Sequence, residues 1–244
     1  MTKAPSFPLL KHPAFRGISD DAATTLERGC KVVRFELGGQ LCDSNDISAR
    51  ILIILQGQVR LVGHHHGRLT TVGKFGPGSV IGAASFLCGA PCENVIAAEE
   101  VIACAISDQL WRELYDGETS FRHWCDQQLW PQELLKLLEA LEQDTPEADS
   151  SALEKLEDAL ESAARCSPDP TAVDAALASG KRLYVTSAWG GLTVGQPVRS
   201  SADLPPCEPF SLRLVSLPVP GGSDAAGESQ DEGTGSLVPV ASIQ

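Results

Sequence analysis

The chain has 244 residues, of which 32 are Asp or Glu and 19 are Lys or Arg, giving a formal net charge of -13. Binding to nucleic acid or to an anionic membrane surface rests on clustered Lys and Arg, and no basic run offsets the acidity, so neither is an expected partner. The 43% hydrophobic content supports a packed core, while no stretch approaches the roughly 20 apolar residues of a membrane span.

The opening MTKAPSFPLLKHPAF is an apolar segment broken by prolines and does not read as a signal peptide. Eight cysteines are scattered through the chain without a CxxC, several inside apolar runs where a free thiol acts as a small hydrophobe. They are expected as reduced thiols in a cytoplasmic protein. Cys88-x-x-x-Cys92 is the one close pair, and with no second pair or spaced His it is a weak zinc signal.

Phe7 to Phe15 forms a short apolar lead-in. Ser19 is the expected N-cap of a helix, SDDAATTLERGC, with Asp20 and Asp21 in its first turn and Gly29 at its end. Lys31 to Leu37 reads as a strand turning at Gly38-Gly39. Arg50 to Gly63, RILIILQGQVRLVG, is a continuous apolar strand, a glycine, then an alternating strand. His64 to His66 and Gly67 form the polar tip of a hairpin returning through RLTTVGKF. Successive loop histidines rarely converge on one metal, so a solvated tip is favoured.

Phe75 to Ile106 is the stretch around which the rest is arranged. A Gly76-Pro77-Gly78 turn leads into the small-residue segment VIGAASFL, then GAPC, then the apolar runs NVIAA and VIACAI. Small residues after a tight turn allow close approach of a ligand or a neighbouring strand. Ser107 caps the next expected helix, DQLWRELYD. Ser120 to Trp130 follows as a helix with Phe121, Trp124, Cys125 and Leu129 in a stripe, and Pro131 restarts it as PQELLKLLEALEQ. Aromatics at this spacing read as core in preference to a ligand lid.

From Asp144 the composition changes. QDTPEADSS is a linker, and Ser151-x-x-Glu154 is a capping box opening the amphipathic helix ALEKLEDALESAARC. CSPDP breaks it, TAVDAALASG forms a last helix ending at Gly180, and Lys181 to Ser187 and Ser211 to Leu217 read as strands. The domain boundaries expected are 1–143 for a β-roll with its C-terminal helices, 144–180 for an acidic helical linker, 181–217 for a small β segment, and 218–244 for a Gly/Ser/acid-rich disordered tail. The elements from 150 to 217 are too few for a large core of their own, so they pack on the first domain or on a partner.

The Phe75–Ile106 stretch resembles the phosphate-binding cassette of the cyclic-nucleotide-binding domain superfamily, whose frame reads roughly FGE-[LI]-ALL, a short gap, then PR-x-A. Here the frame reads Ile81-Gly82-Ala83-Ala84-Ser85-Phe86-Leu87, then Pro91-Cys92-Glu93-Asn94. Ile51 to Leu61, with Gly57 at the turn, and the opening His12 to Ser19 are similar to the same family. The resemblance implies an antiparallel, jelly-roll-like β-roll with flanking helices, an α+β fold that is mainly β. It also implies that the position of the ribose-holding glutamate carries Ala83 and that of the phosphate-pairing arginine carries Cys92. Removing the partner of a buried charge costs about 2–5 kcal/mol, or roughly 30- to 4000-fold in affinity. Glu93 beside Cys92 worsens the field for an anion further.

The functional expectation is a non-catalytic regulatory or interaction module with no cofactor and no metal, whose degenerate cassette (Gly82, Ala83, Ala84, Ser85, Cys92, Asn94) has lost cyclic nucleotide binding. A residual pocket there is expected to be closed by a side chain such as Phe86 or turned to another ligand. The order of β-roll, acidic helical linker and KRLYVTS…LRLVSLP segment is similar to the N-terminal cytosolic region of bacterial, notably cyanobacterial-type, peptide or toxin ABC exporters. That similarity implies a protein partner, the membrane or ATPase part of an exporter, and a cytoplasmic location at the inner membrane through it. Leu134, Leu135, Leu138 and Leu141 suit either signal transfer or a homodimer through the helix 120–142. Two alternatives stay open: a nucleotide receptor using the backbone amides of Gly82 to Ser85 with Ser85 or Asn94 in place of the lost charge, and a cupin-like metalloenzyme using His64 to His66. No Walker A, HExxH or GxSxG pattern occurs, and no basic recognition helix follows the cassette, so neither an enzyme nor a DNA reader is expected.

Overall fold

The apolar run beginning at Arg50 breaks at Gly57, whose φ is +88° and where a Cβ would lie 2.2 Å from the Glu100 carbonyl oxygen. Only glycine accommodates both the left-handed backbone and the close approach. The computed structural model describes residues 9–65, 68–144, 152–188, 191–205 and 212–218. The expected tail beyond Pro218, the linker 145–151 with its capping-box Ser151, and His66-Gly67 lie outside these residues.

Eight strands build the roll: β1 (Lys31–Phe35), β2 (Gln40–Cys42), β3 (Arg50–Gln56), β4 (Val59–His65), β5 (Arg68–Phe75), β6 (Val80–Ile81), β7 (Val95–Ala97) and β8 (Val101–Ser107). They form two antiparallel sheets, ordered β1-β8-β3-β6 and β2-β7-β4-β5. Side chains alternate across a strand, so β3 sends Leu52 and Ile54 into the space between the sheets, where Leu61, Val95 and Ala103 meet them. Ile51 and Ile53 face the opposite way and join Cys104, Ile106, Trp111 and Phe121 beneath the helices. Burial on both faces explains why the run Ile51–Leu55 is apolar throughout and does not alternate.

The helices on that second face are α1 (Asp20–Gly29), α2 (Ala83–Cys88), α3 (Asp108–Gly117) and α4 (Thr119–Gln127), while α5 (Pro131–Asp144) follows them and packs in a cluster of its own. Ser19 and Ser107 cap α1 and α3 as expected, accepting the amides of Ala22 and Leu110 at 3.2 Å. Trp130 is buried in the core and meets the partly buried Trp124 edge-to-face at 5.9 Å, so this pair packs the helices together.

The remaining elements are α6 (Ala152–Ser162), β9 (Ala164–Cys166), α7 (Pro170–Ala178), β10 (Arg182–Val185), β11 (Pro197–Val198) and β12 (Leu214–Leu217). The first helix of the linker does not run to Cys166. It stops at Ser162, and residues 164–166 become a strand because β12 offers them an antiparallel edge. The result is a third sheet, β11-β10-β12-β9, with a small core of Val173, Leu183, Val185, Leu214 and Cys166 against α7.

The segment 120–142 is not one helix either. It breaks between Gln127 and Pro131, and the leucines expected to serve a dimer face are used within the chain. Leu134, Leu135 and Leu138 are buried against Leu156, Ala159 and Val215, with Leu141 packed beside them.

At the centre of this joint lies Glu133, whose side chain is fully buried. Arg213, the residue before β12, grips it through two donors, Nε to Oε1 at 3.1 Å and Nη2 to Oε2 at 2.9 Å. Arg213 also donates to the carbonyls of Cys125 and Gln128 at 3.3 and 2.7 Å. Arg165 of β9 reaches Glu133 Oε1 at 3.0 Å, and the Thr186 hydroxyl donates to the same oxygen. Burial by itself would raise the Glu133 carboxyl, but the charges of Arg213 and Arg165 outweigh it and hold the group below its ordinary 4.5.

Breaking a buried pair leaves the other charge uncompensated and costs about 3–5 kcal/mol. Arg213→Ala should therefore lower the unfolding free energy by about that amount, read from urea titration at neutral pH. Because the Glu133 carboxyl is depressed, its contribution is present above its unfolded value and is lost as pH falls through the folded one. The stability gap between the native chain and Glu133→Gln should accordingly shrink on acidification below about pH 4.

Candidate functional site: a cassette capped by Glu93

Helix α2 begins at Gly82, which adopts φ +92° and where a Cβ would stand 2.9 Å from the Arg50 carbonyl oxygen. A helix start leaves its first amides unpaired, and the usual remedy is an N-cap side chain that accepts from the third residue in. Glycine has none. Glu93, eleven residues on, supplies the missing acceptor. Its Oε1 accepts the Gly82 amide at 2.8 Å and its Oε2 the Ser85 amide at 3.0 Å.

Glu93 is completely buried. Burial raises its carboxyl above the ordinary 4.5, opposed by the amides of Ser85, Gly82 and Ala84 and by the Ser85 hydroxyl, which favour the charged form. The carboxylate thus lies in the set of inward-pointing amides that a helix start offers to an anion.

Neighbouring residues complete the closure. The Ser85 hydroxyl accepts the Cys92 amide at 3.0 Å and lies 3.5 Å from the Cys92 thiol. The Cys92 thiol is pushed well above its ordinary value, first by its contact with the Cys88 thiol and then by burial. Ala83 and Ala84 are fully buried in the core. Phe86 is buried in the same core with the Arg112 guanidinium 5.6 Å above its ring. Glu93, rather than Phe86, is the side chain that occupies the cassette.

Of the six residues singled out from sequence, Gly82, Ala83, Ala84, Ser85 and Cys92 are brought together at α2. Asn94 is not: its side chain lies on the Gln40 side, within 3.5 Å of Gln40 Nε2. Glu93 itself was legible only as an unfavourable charge. The available signal was an acid held between Cys92 and the apolar run starting at Val95, at a helix start whose N-cap has no side chain. His12 pins the preceding turn, with Nε2 2.8 Å from the Gly78 carbonyl oxygen and Nδ1 accepting the Ala14 amide at 3.2 Å.

Among the described residues no group of three or more His, Cys, Asp and Glu is placed to hold a metal ion. The seven described cysteines carry free thiols. No helix among these residues is long and apolar enough to cross a membrane.

Residues 32–118 match the family model of the cyclic nucleotide-binding domain. The matched span runs from β1 to just past α3 and contains the whole cassette, and the β-roll with flanking helices is consistent with that fold. Among solved structures, similarity extends to the regulatory subunit of a cAMP-independent protein kinase A from Trypanosoma cruzi bound to guanosine, at 18% identity and TM-score 0.39 over 47% of this chain and 44% of that one. The chain thus spans less than half the length of that subunit. The N-terminal domain of a transcriptional regulator from Streptomyces coelicolor A3(2) is 21% identical over 47% of this chain and 85% of that one, with TM-score 0.41. A putative cyclic nucleotide-binding protein from Geobacter metallireducens GS-15 is 18% identical over 46% and 82%, with TM-score 0.40. No curated protein matches the chain.

The raised carboxyl gives Glu93 a pH dependence opposite to that of Glu133. A group whose folded value lies above its unfolded one contributes fully below the unfolded value and loses that contribution as pH rises through the folded one. The stability of the native chain relative to Glu93→Gln should therefore fall as pH increases from about 4, as read from urea midpoints over a pH series.

Proposed function

We propose that this chain is a non-catalytic regulatory or interaction module in which the cyclic nucleotide cassette is occupied by the chain's own Glu93 and no longer takes up nucleotide. One observation carries the reading: the Glu93 carboxylate accepts the amides of Gly82 and Ser85 at 2.8 and 3.0 Å from a fully buried position. An incoming phosphate would meet a carboxylate in place of free amides. It would also meet Cys92 where the family frame has an arginine, the usual bidentate partner of a phosphate.

The partner side of the reading is a protein, which we infer to be the membrane or ATPase part of an ABC-type exporter, with the module at the cytoplasmic face. Its support is the resemblance of the β-roll, acidic helical segment and small β segment to the region that precedes such exporters. The three-sheet arrangement gives the module a rigid form suited to this role, because the small sheet is joined to the roll through Glu133 and Arg213.

The decisive test is thermal unfolding of the full chain with 1 mM cAMP or cGMP. A ligand at 100 times its Kd stabilises by about 2.7 kcal/mol and raises the midpoint by a few degrees. No shift is expected for the native chain. The double variant Cys92→Arg with Glu93→Ser, which frees the amides and supplies a guanidinium, is expected to shift with nucleotide. A nucleotide-dependent shift in the native chain would overturn the reading and make the chain a nucleotide receptor.

A further inference from the structure

Away from the cassette, the outer edge of the third sheet carries an open groove of about 500 Å³, with Leu177, Tyr184 and Val198 on its walls and Lys181, Arg182 and Arg199 among its lining residues. No acidic side chain lines it. In a chain with 32 acids and 19 bases this concentration of cations stands apart.

Tyr184 pairs with Pro197 and Leu183 with Val198, where β11 ends, so Arg182 and Arg199 stand at the same end of this strand pair. Like charges gathered on one surface repel one another. Among the described residues none of the three cations is in an ion pair. Asp203, whose carboxyl is held down first by the amides of Arg199 and Ser200 and also by the Arg199 charge, is committed to those amides at 2.9 Å. An anionic occupant would offset the charge of Lys181, Arg182 and Arg199 together.

The chain itself supplies one. Leu217, the last residue of β12, pairs with Arg182, so β12 ends next to a residue of the groove. The segment after Pro218 contains Asp224, Glu228, Asp231 and Glu232 and no Lys or Arg through residue 244, with glycine and serine between the acids. We propose that the groove between β10 and β11 is a docking site for an acidic peptide segment and that residues Asp224–Glu232 of the same chain occupy it. Six residues separate Leu217 from Asp224, a tether short enough to hold the acids near the cations at an effective concentration in the millimolar range. The contact lies within a Debye length of solvent and weakens with salt. An acidic segment of a partner would have to displace this cover before binding.

Zero-length carbodiimide coupling of the full-length monomer, followed by peptide mass spectrometry, tests the proposal. Carbodiimide joins a carboxylate to an amine in contact with it, so Lys181 should couple to Asp231, Glu232 or Glu228 in low salt and lose most of that product at 0.5 M NaCl. In Arg182→Glu with Arg199→Glu the Lys181 product should fall severalfold. A second variant, Asp224→Asn with Glu228→Gln, Asp231→Asn and Glu232→Gln, keeps every groove residue and should shift the backbone amide resonances of Leu183 and Val198 relative to the native chain. Coupling of these acids to lysines throughout the chain without preference for Lys181, or unshifted groove amides in the neutralised variant, would overturn it. Coupling confined to a dimer fraction would also overturn it, since the occupant would then be a second copy.

Discussion

The structure depends on a single buried carboxylate, Glu133, and on the two arginines that neutralise it. Glu133 lies in the first turn of α5, whereas Arg165 of β9 and Arg213, just before β12, lie 32 and 80 residues later in the chain. A carboxylate fully removed from water is stable only when charged partners and hydrogen bonds replace its hydration. The bidentate grip of Arg213 and the Thr186 hydroxyl meet that condition, and in doing so they fix where the third sheet sits. The apolar contacts of Leu134, Leu138, Leu156 and Val215 fill the same joint but are less directional. The ion cluster sets the register of the joint; the leucines give it area.

A second buried carboxylate shows how environment decides the behaviour of one chemical group. Glu93 has no cation against it, only amides and a hydroxyl, and burial prevails so that its carboxyl is raised. Glu133 has two guanidinium groups, and burial loses. Both carboxylates stand at the start of a helix or within its first turn, where the backbone field favours negative charge. Glu93 uses that field as a cap supplied from a distance to a helix whose own N-cap residue is glycine. One side chain thereby satisfies the helix start and fills the concavity formed by its first amides.

Charge is distributed with similar economy. The cations of the third sheet and its flanks are divided between two roles. Arg165 and Arg213 turn inward to the joint, and Lys181, Arg182 and Arg199 turn outward to the groove.

Much of the roll could be read from residues alone. The two-sided apolar run at Ile51–Leu55, the turn at Gly57, the caps Ser19 and Ser107 and the helix restart at Pro131 are local features, and local stereochemistry dictates them whatever surrounds them. The residues converging at α2 were legible for the same reason, since a glycine followed by small side chains admits close approach. Tertiary structure decided the rest. Residues 164–166 carry a helical pattern and become a strand because β12 presents an open edge, and Leu134, Leu135 and Leu138 look like a dimer face until α6 folds over them. Glu93 reads as a misplaced charge until the Gly82 and Ser85 amides point at it. In each case the deciding partner is distant in the chain or belongs to the backbone, and side-chain sequence patterns carry neither kind of information.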